Sequence, residues 1–165
     1  MMVLAKSKDL PAIMEIYKSC TEKMNENGLY NWDVNYPDIK TVTQNIESGA
    51  LFILMEGNIK GVLCIDENQP EVYEEIQWQL DGNFVCVHRL AINPNFQKQG
   101  LAYKAMLEVE SWAEMKGYSH IRLDAFGENA GARNLYTKLG YKEKGMVHLY
   151  PETGAEYMCF EKILN

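Results

Sequence analysis

One stretch constrains this chain more than any other: the apolar run from Phe84 to Ile92, stopped by Asn93 and Pro94 and followed by a helical pattern from Leu101 to Met115. The run is rich in β-formers, as a central strand is, and Asn-Pro forces the chain out of any ladder. Beyond it Ala102, Ala105, Met106, Val109, Trp112 and Ala113 share one helical face, whereas Lys104, Glu108 and Glu114 lie elsewhere. Gly117 supplies the stop. A central strand feeding so directly into an amphipathic helix calls for a domain that mixes the two element types.

The flanking sequence extends this pattern. Val3 to Ala5 reads as a short strand, and Ser7 or Asp9 then caps a helix carrying Leu10, Ile13, Met14 and Tyr17 at helical spacing. An aromatic, turn-rich segment from Gly28 to Pro37 follows, and Asp38 opens a second helix with Ile39, Val42 and Ile46, ended by Gly49. Ala50–Met55 and Ile59–Ile65 form a hairpin around Glu56, Gly57 and Asn58. Asp66 to Gly82 is a long connection or a short helix with mixed faces. After the central pair come a strand at Ile121–Phe126 and a helix at Asn129–Leu139, closed by Gly140. A last strand pair, Met146–Tyr150 and Tyr157–Ile163, surrounds the turn Pro151–Gly154. The order predicts an α/β (α+β mixed sheet) fold, a central mixed β-sheet flanked by helices.

Size and charge narrow the classes. A chain of 165 residues is expected to form one domain over residues 1–165, able to fold without metal or disulfide help. The net charge of 16 minus 23, or −7, repels phosphate backbones and anionic lipid, so neither nucleic acid nor membrane is an expected partner. Cys20, Cys64, Cys86 and Cys159 are scattered and show no metal-like spacing to the histidines, which predicts free core thiols and no metal site. No signal-peptide order or membrane-length apolar run is present, so a cytoplasmic location is expected.

The chemistry concentrates in Gln97, Lys98, Gln99, Gly100, Leu101 and Ala102, between strand and helix. Unpaired amides at a helix N-terminus carry about half a positive charge, and a phosphate docks there if no side chain blocks it. Gly100 and Ala102 leave that access open, although a plain tight turn explains the glycine too. Neither G-x-G-x-x-G nor a P-loop occurs, which removes the main support for a dinucleotide or an ATP site.

On these residues the chain resembles the GCN5-related N-acetyltransferase (GNAT) superfamily, whose pyrophosphate loop reads [QR]-x-x-G-x-[GA] after a strand ending in an apolar-x-Pro turn. Gln97 to Ala102 fits at every defined position, and Leu90, Ala91, Ile92, Asn93 and Pro94 precede it as expected. Asn129, Ala132, Leu135, Tyr136, Lys138, Leu139, Gly140 and Tyr141 match the second half of the signature. Trp32, Tyr36-Pro37 and Trp78 are similar to features of a subgroup of small bacterial acetyltransferases.

The resemblance implies a GNAT-like acyl-CoA N-acyltransferase fold and an acetyltransferase with acetyl-CoA (coenzyme A) as cofactor. Acetyl would pass to a primary amine of a small-molecule or peptidyl acceptor by direct attack through a tetrahedral intermediate. The alternative is a non-catalytic acyl-CoA-binding sensor or interaction module; pairing of two copies as a homodimer is compatible with either. The strand backbone at Leu90, Ala91 and Ile92 would bind the pantetheine arm, and an N–H there would serve the oxyanion. Gln97, Lys98, Gln99, Gly100, Leu101 and Ala102 would hold the pyrophosphate, with Tyr103 adding an amide and Lys98, Lys104 or Arg133 adding charge. Tyr136 matches the tyrosine beside the cofactor sulfur and is the candidate general acid; half-buried packing on Leu139 is the plainer explanation. Asn129 matches a cofactor-contacting asparagine, and a helix N-cap explains it equally. His88 stands where the histone-modifying branch has a glutamate base, with Glu74, Glu75 or an ordered water chain as rivals; a strand histidine simply hydrogen-bonded in place is the plainer explanation. Trp32, Tyr36, Tyr73 and Trp78 are candidates to line an acceptor cleft.

Overall fold

A computed structural model describes residues 1–33 and 35–165. The seven-stranded mixed sheet has the order β1-β2-β3-β4-β5-β7-β6, with strands β1 Met2–Leu4, β2 Leu51–Glu56, β3 Asn58–Asp66, β4 Phe84–Ile92, β5 His120–Phe126, β6 Lys142–Val147 and β7 Tyr157–Ile163. Among the described residues four α-helices accompany it: α1 Leu10–Glu26, α2 Ile39–Glu47, α3 Leu101–Met115 and α4 Ala130–Lys138. The described residues divide into two compact units, Met1–Ile65 with His88–Val109, and Asp66–Val87 with Glu110–Asn165. Among the described residues no helix is long and apolar enough to cross a membrane.

In the first unit, α1 buries Ile13, Ile16, Tyr17 and Cys20, the one-sided spacing that the sequence shows. Pro11 is tolerated because the first helical turn has no main-chain partner to lose. The Asp38 side chain caps α2, accepting from the Thr41 amide at 2.7 Å. Both helices pack with Val42, Ala50, Leu51, Ile53, Val62, Cys64 and Ala91 in one apolar cluster. The β2–β3 hairpin is tighter than its turn residues suggest: Glu56 pairs with Asn58, and Gly57 alone takes a φ of 77° at the tip.

Gly61 sets how closely β4 approaches β3. A Cβ at this position would lie 2.8 Å from the Ala91 carbonyl oxygen, the Ile92 Cδ1 and the Leu54 Cδ1. Glycine therefore lets the strand backbone come to a distance that no side chain permits.

The second unit is held around buried charge. Arg122 lies 4.5 Å from the Trp78 ring and 4.1 Å from Phe84, and donates to Gln69 Oε1 and to the Leu80 carbonyl, each at 2.7 Å. Glu161, 1% exposed, accepts from the Gln79 amide at 2.8 Å and pairs with Lys144 at 3.0 Å. Burial alone would push its carboxyl up, but the Gln79 and Leu80 amides and the Lys144 ammonium outweigh burial and hold it below the usual glutamate range. The connection from Asp66 to Gly82 thus holds one short 3-10 turn, Glu71–Glu75, and is fastened to β5 and β7 by these charges.

One strand lies elsewhere than expected. The sequence pattern puts a strand at Met146–Tyr150, but β6 is Lys142–Val147 and pairs from Lys142↔Glu161 to Val147↔Tyr157. Lys142, Glu143 and Lys144 read as loop because they are charged, yet β6 is the last strand of the sheet, where charge is common and protects the open edge. Leu149 and Tyr150 instead pack against the cluster of Tyr73, Cys86, Val147, Tyr157 and Cys159.

Gly61→Ala should therefore destabilise the fold by about 1–3 kcal/mol, lowering Tm by roughly 3–10 °C. Gly131→Ala, within α4, would meet only Asn129 Oδ1 at 3.4 Å and should be neutral or stabilising. Thermal unfolding of both variants checks the contrast; equal, small shifts would mean that β4 yields at Gly61.

Candidate functional site

After β4 the chain makes a 3-10 turn at Pro94–Phe96, fixed by the Asn93 side chain accepting from the Asn95 amide at 3.0 Å. Lys98 and Gly100 then take left-handed φ values of 60° and 77°. These turn the main chain so that α3 starts with its amides outward. Gln97, Lys98, Gln99 and Gly100 are exposed, and nothing lies within 4 Å of where a Gly100 Cβ would stand. The first main-chain bond of the helix is Lys104 to the Gly100 carbonyl at 3.0 Å. The amides of Gln99, Gly100, Leu101 and Ala102 donate to no group among the described residues. An open turn with four partnerless amides at the end of a 15-residue helix is an anion-binding geometry, and it fits a diphosphate.

The strand that leads there has a free edge. The β4–β5 register runs from Phe84↔His120 to Val87↔Leu123 and stops. Two residues later Arg89 has a φ of 51°, a left-handed conformation that costs a non-glycine residue about 1–2 kcal/mol. It disturbs the regular alternation of β4, which still runs on to Ile92. Beyond Arg89, Asn93 donates to the Lys60 carbonyl and the Ala91 carbonyl faces Gly61, so 91 and 93 serve the β3 side. Leu90 and Ile92 alternate to the other edge. There the Ile92 carbonyl already accepts from Cys20 Sγ at 3.1 Å and from Gln97 Nε2 at 2.9 Å. Gln97 thus ties the turn to the strand end. His88 is half-buried on β4 immediately before Arg89.

In the second unit, Asn129 caps α4: its Oδ1 accepts from the Ala132 amide at 3.0 Å. Tyr136, 6% exposed, lies 5.8 Å from the Tyr141 ring and 5.5 Å from Phe160. Burial pushes its phenol up, and the Asp124 charge adds to the effect. Arg133 is engaged with Glu143 at 2.7 Å, so its charge is largely compensated within its own unit. Glu74 and Glu75 are exposed on the 3-10 turn.

The four candidate cleft aromatics separate into two pairs. Trp32 and Tyr36 lie 6.4 Å apart in the first unit, and Trp32 lies 5.7 Å from Tyr17. Tyr73 and Trp78 lie 5.3 Å apart in the second, with the Trp78 indole donating to the Tyr73 carbonyl at 2.9 Å. Tyr73 is fully buried and donates to Asp124 Oδ2 at 2.6 Å, so it is a core residue and lines no open surface.

Two charged residues escape a reading by pattern. Asp124 sits inside β5, between Leu123 and Ala125, and Arg89 sits inside β4. A charge flanked by apolar residues within a strand is the signal that marks them.

With this geometry established, known proteins place the chain. The sequence model of the Acetyltransferase (GNAT) family matches residues 10–141. The chain is 25% identical over 163 residues to the uncharacterized N-acetyltransferase YesJ of Bacillus subtilis (strain 168), covering 92% of this chain and 87% of the relative. Its fold is similar to that of a GNAT-family acetyltransferase from Streptococcus agalactiae 2603, with a TM-score of 0.84, 21% identity and coverage of 100% and 95% of the two chains. It is also similar to yncA from Salmonella typhimurium, solved with its cofactor acetyl-CoA, at a TM-score of 0.72, 17% identity and coverage of 100% and 94%. The matched residues take in both the open turn before α3 and the Asn129–Tyr141 segment, and the chain belongs to the GNAT family of acetyltransferases.

Proposed function

We propose that the protein is an acetyl-CoA-dependent N-acetyltransferase that acetylates a primary amine on a small-molecule or peptidyl acceptor by direct attack. The observation that carries this reading is the row of partnerless amides from Gln99 to Ala102 at the start of α3. Acetyl-CoA supplies an activated thioester when bound. The chain's own groups bind and polarise it. The open turn takes the pyrophosphate, with Lys98 exposed beside it. The outward edge of β4 offers the Leu90 and Ile92 amides to the pantetheine and to the oxyanion. The Ile92 carbonyl is already engaged twice, by Cys20 and Gln97, and is excluded from that role.

His88 takes the proton that leaves the acceptor nitrogen as the tetrahedral intermediate forms. Tyr136 donates toward the departing sulfur. Its burial and the neighbouring Asp124 keep the phenol protonated at neutral pH, the form that a donor requires. The raised phenol is a reluctant acid toward a thiolate of pKa about 8–9. Its contribution is therefore a hydrogen bond that strengthens as charge grows on sulfur.

Direct transfer is favoured because the thiols do not suit a covalent relay. Cys64, Cys86 and Cys159 are fully buried and Cys20 is 5% exposed. Burial pushes Cys20 up to about 12; burial and then Asp124 push Cys159 to about 12. The native protein should therefore react with less than one equivalent of a thiol reagent at pH 8, against four after unfolding. A fast-reacting native thiol would reopen an acyl-cysteine route.

Calorimetry with acetyl-CoA and thiol release across an amine panel test the main reading. Tyr136→Phe, which keeps the ring packing, should lower kcat by about 100-fold with the affinity for acetyl-CoA unchanged. Undiminished turnover would remove Tyr136 as the donor. Absence of acetyl-CoA binding would overturn the function, and tight binding without thiol release would mark a sensor module.

A further inference from the structure

Arg89 is a cation without a counterion. It is half-buried, and no acidic side chain lies within ion-pairing distance of it among the described residues. Its guanidinium carries five N–H groups. Nη2 donates to Asn45 Oδ1 at 2.6 Å and Nη1 to the Tyr36 hydroxyl at 3.4 Å, both neutral acceptors, whereas Nε is enclosed with no acceptor at all. In the second unit Arg122 lies against aromatic faces and Glu161 pairs with Lys144, although the Arg122 Nε likewise lacks an acceptor; the Arg89 charge is met among the described residues by neutral hydroxyl and amide oxygens alone. Removing a guanidinium from water without a counter-charge is costly, and a planar fork of N–H groups matches the two oxygens of a carboxylate.

The site is built from three separate segments. Asn45 comes from α2, Tyr36 from the preceding loop and Tyr17 from α1; the Tyr17 hydroxyl donates to the Arg89 carbonyl at 3.4 Å. Trp32 stands between Tyr17 and Tyr36, edge to face with each, and gives the site an apolar wall. The left-handed φ of Arg89 re-aims its side chain out of the strand's regular alternation. Arg89 directly follows His88 and directly precedes Leu90.

We propose that Arg89, oriented by Asn45 and Tyr36, binds a carboxylate of the acceptor, so that the acceptor class is amines that also carry a carboxylate, with amino acids as the simplest members. The assignment rests on the acetyltransferase reading given above. It also gives a direction of selectivity. A fixed cation attracts the acid group and repels a second ammonium, so diamines and polyamines are disfavoured.

The test compares acceptors in pairs, each amino acid beside the amine that lacks its carboxyl group: L-phenylalanine with phenethylamine, L-methionine with 3-(methylthio)propylamine, L-lysine with cadaverine. Thiol release from acetyl-CoA is followed for the wild-type protein, Arg89→Lys and Arg89→Gln. The best wild-type acceptors should carry the carboxylate, with kcat/KM at least about tenfold above the decarboxylated partner. Arg89→Gln should collapse that ratio toward one through KM. Arg89→Lys should recover little of it, because an ammonium lacks the fork. Transfer that proceeds best to amines without a carboxylate overturns the assignment and leaves the acetyltransferase standing. So does an Arg89→Gln loss shared equally by both members of a pair, which marks an arginine that only holds Tyr36 and Asn45. If acetyl-CoA does not bind, the function itself has failed. If it binds but no amine of the panel turns over, calorimetry of the CoA complex with the three amino acids decides: binding abolished by Arg89→Gln supports the site, and no binding overturns it. Should Arg89→Gln not fold, the wild-type pairs and Arg89→Lys still separate these outcomes.

Discussion

The left-handed residue Arg89 within β4, just past the end of the pairing with β5, is the constraint on which the remainder turns. Up to Val87 the strand is an ordinary member of the sheet, paired in parallel with β5 and buried at Val85, Cys86 and Val87. The left-handed residue follows the end of that pairing, and main-chain N–H and C=O groups along one edge are left without a strand partner. Such groups are costly to leave dry, so an edge of this kind is kept only where something else pairs with it. Gly61 complements it from the other side, because the close approach of β3 to Ala91 holds the outer half of β4 in position while its far edge stays open.

The two units differ in how their buried charges are partnered. In the second unit the buried charges have partners among the described residues: Glu161 two amides and Lys144, Arg122 two acceptors and two rings, Lys162 Glu110 at 2.7 Å, although Arg122 Nε donates to no acceptor and Glu110 Oε1 accepts from no donor. His120, fully buried, is kept neutral, first by desolvation and then by the Arg122 charge. That network fastens a polar connection that has little regular structure of its own. In the first unit the exposed turn and the half-buried Arg89 keep donors without acceptors. Donors left unsatisfied beside an accessible surface are where a ligand gains most.

Much of this was legible before any coordinates. β4 and α3 have the boundaries that periodicity and punctuation predict, because both are long, strongly patterned and ended by Asn-Pro or glycine. The open turn was legible because it is made of small residues and main chain, and sequence records small residues well. β6 was not, since an exposed edge strand rich in lysine and glutamate has the composition of a loop. Tyr73 read as a surface aromatic and is a core residue, because only the fold brings Asp124 to its hydroxyl.

By itself, then, the sequence determined the element types, the mixed sheet and the open entrance of α3, all of which depend on neighbours a few residues apart. The tertiary structure decided which polar groups have partners. Whether Arg133 is free or paired with Glu143, whether the Ile92 carbonyl is open or occupied, and whether Arg89 has a counterion are questions about groups distant along the chain. Electrostatic and hydrogen-bonding energies depend on those distances and on burial, and neither quantity exists until the chain has folded.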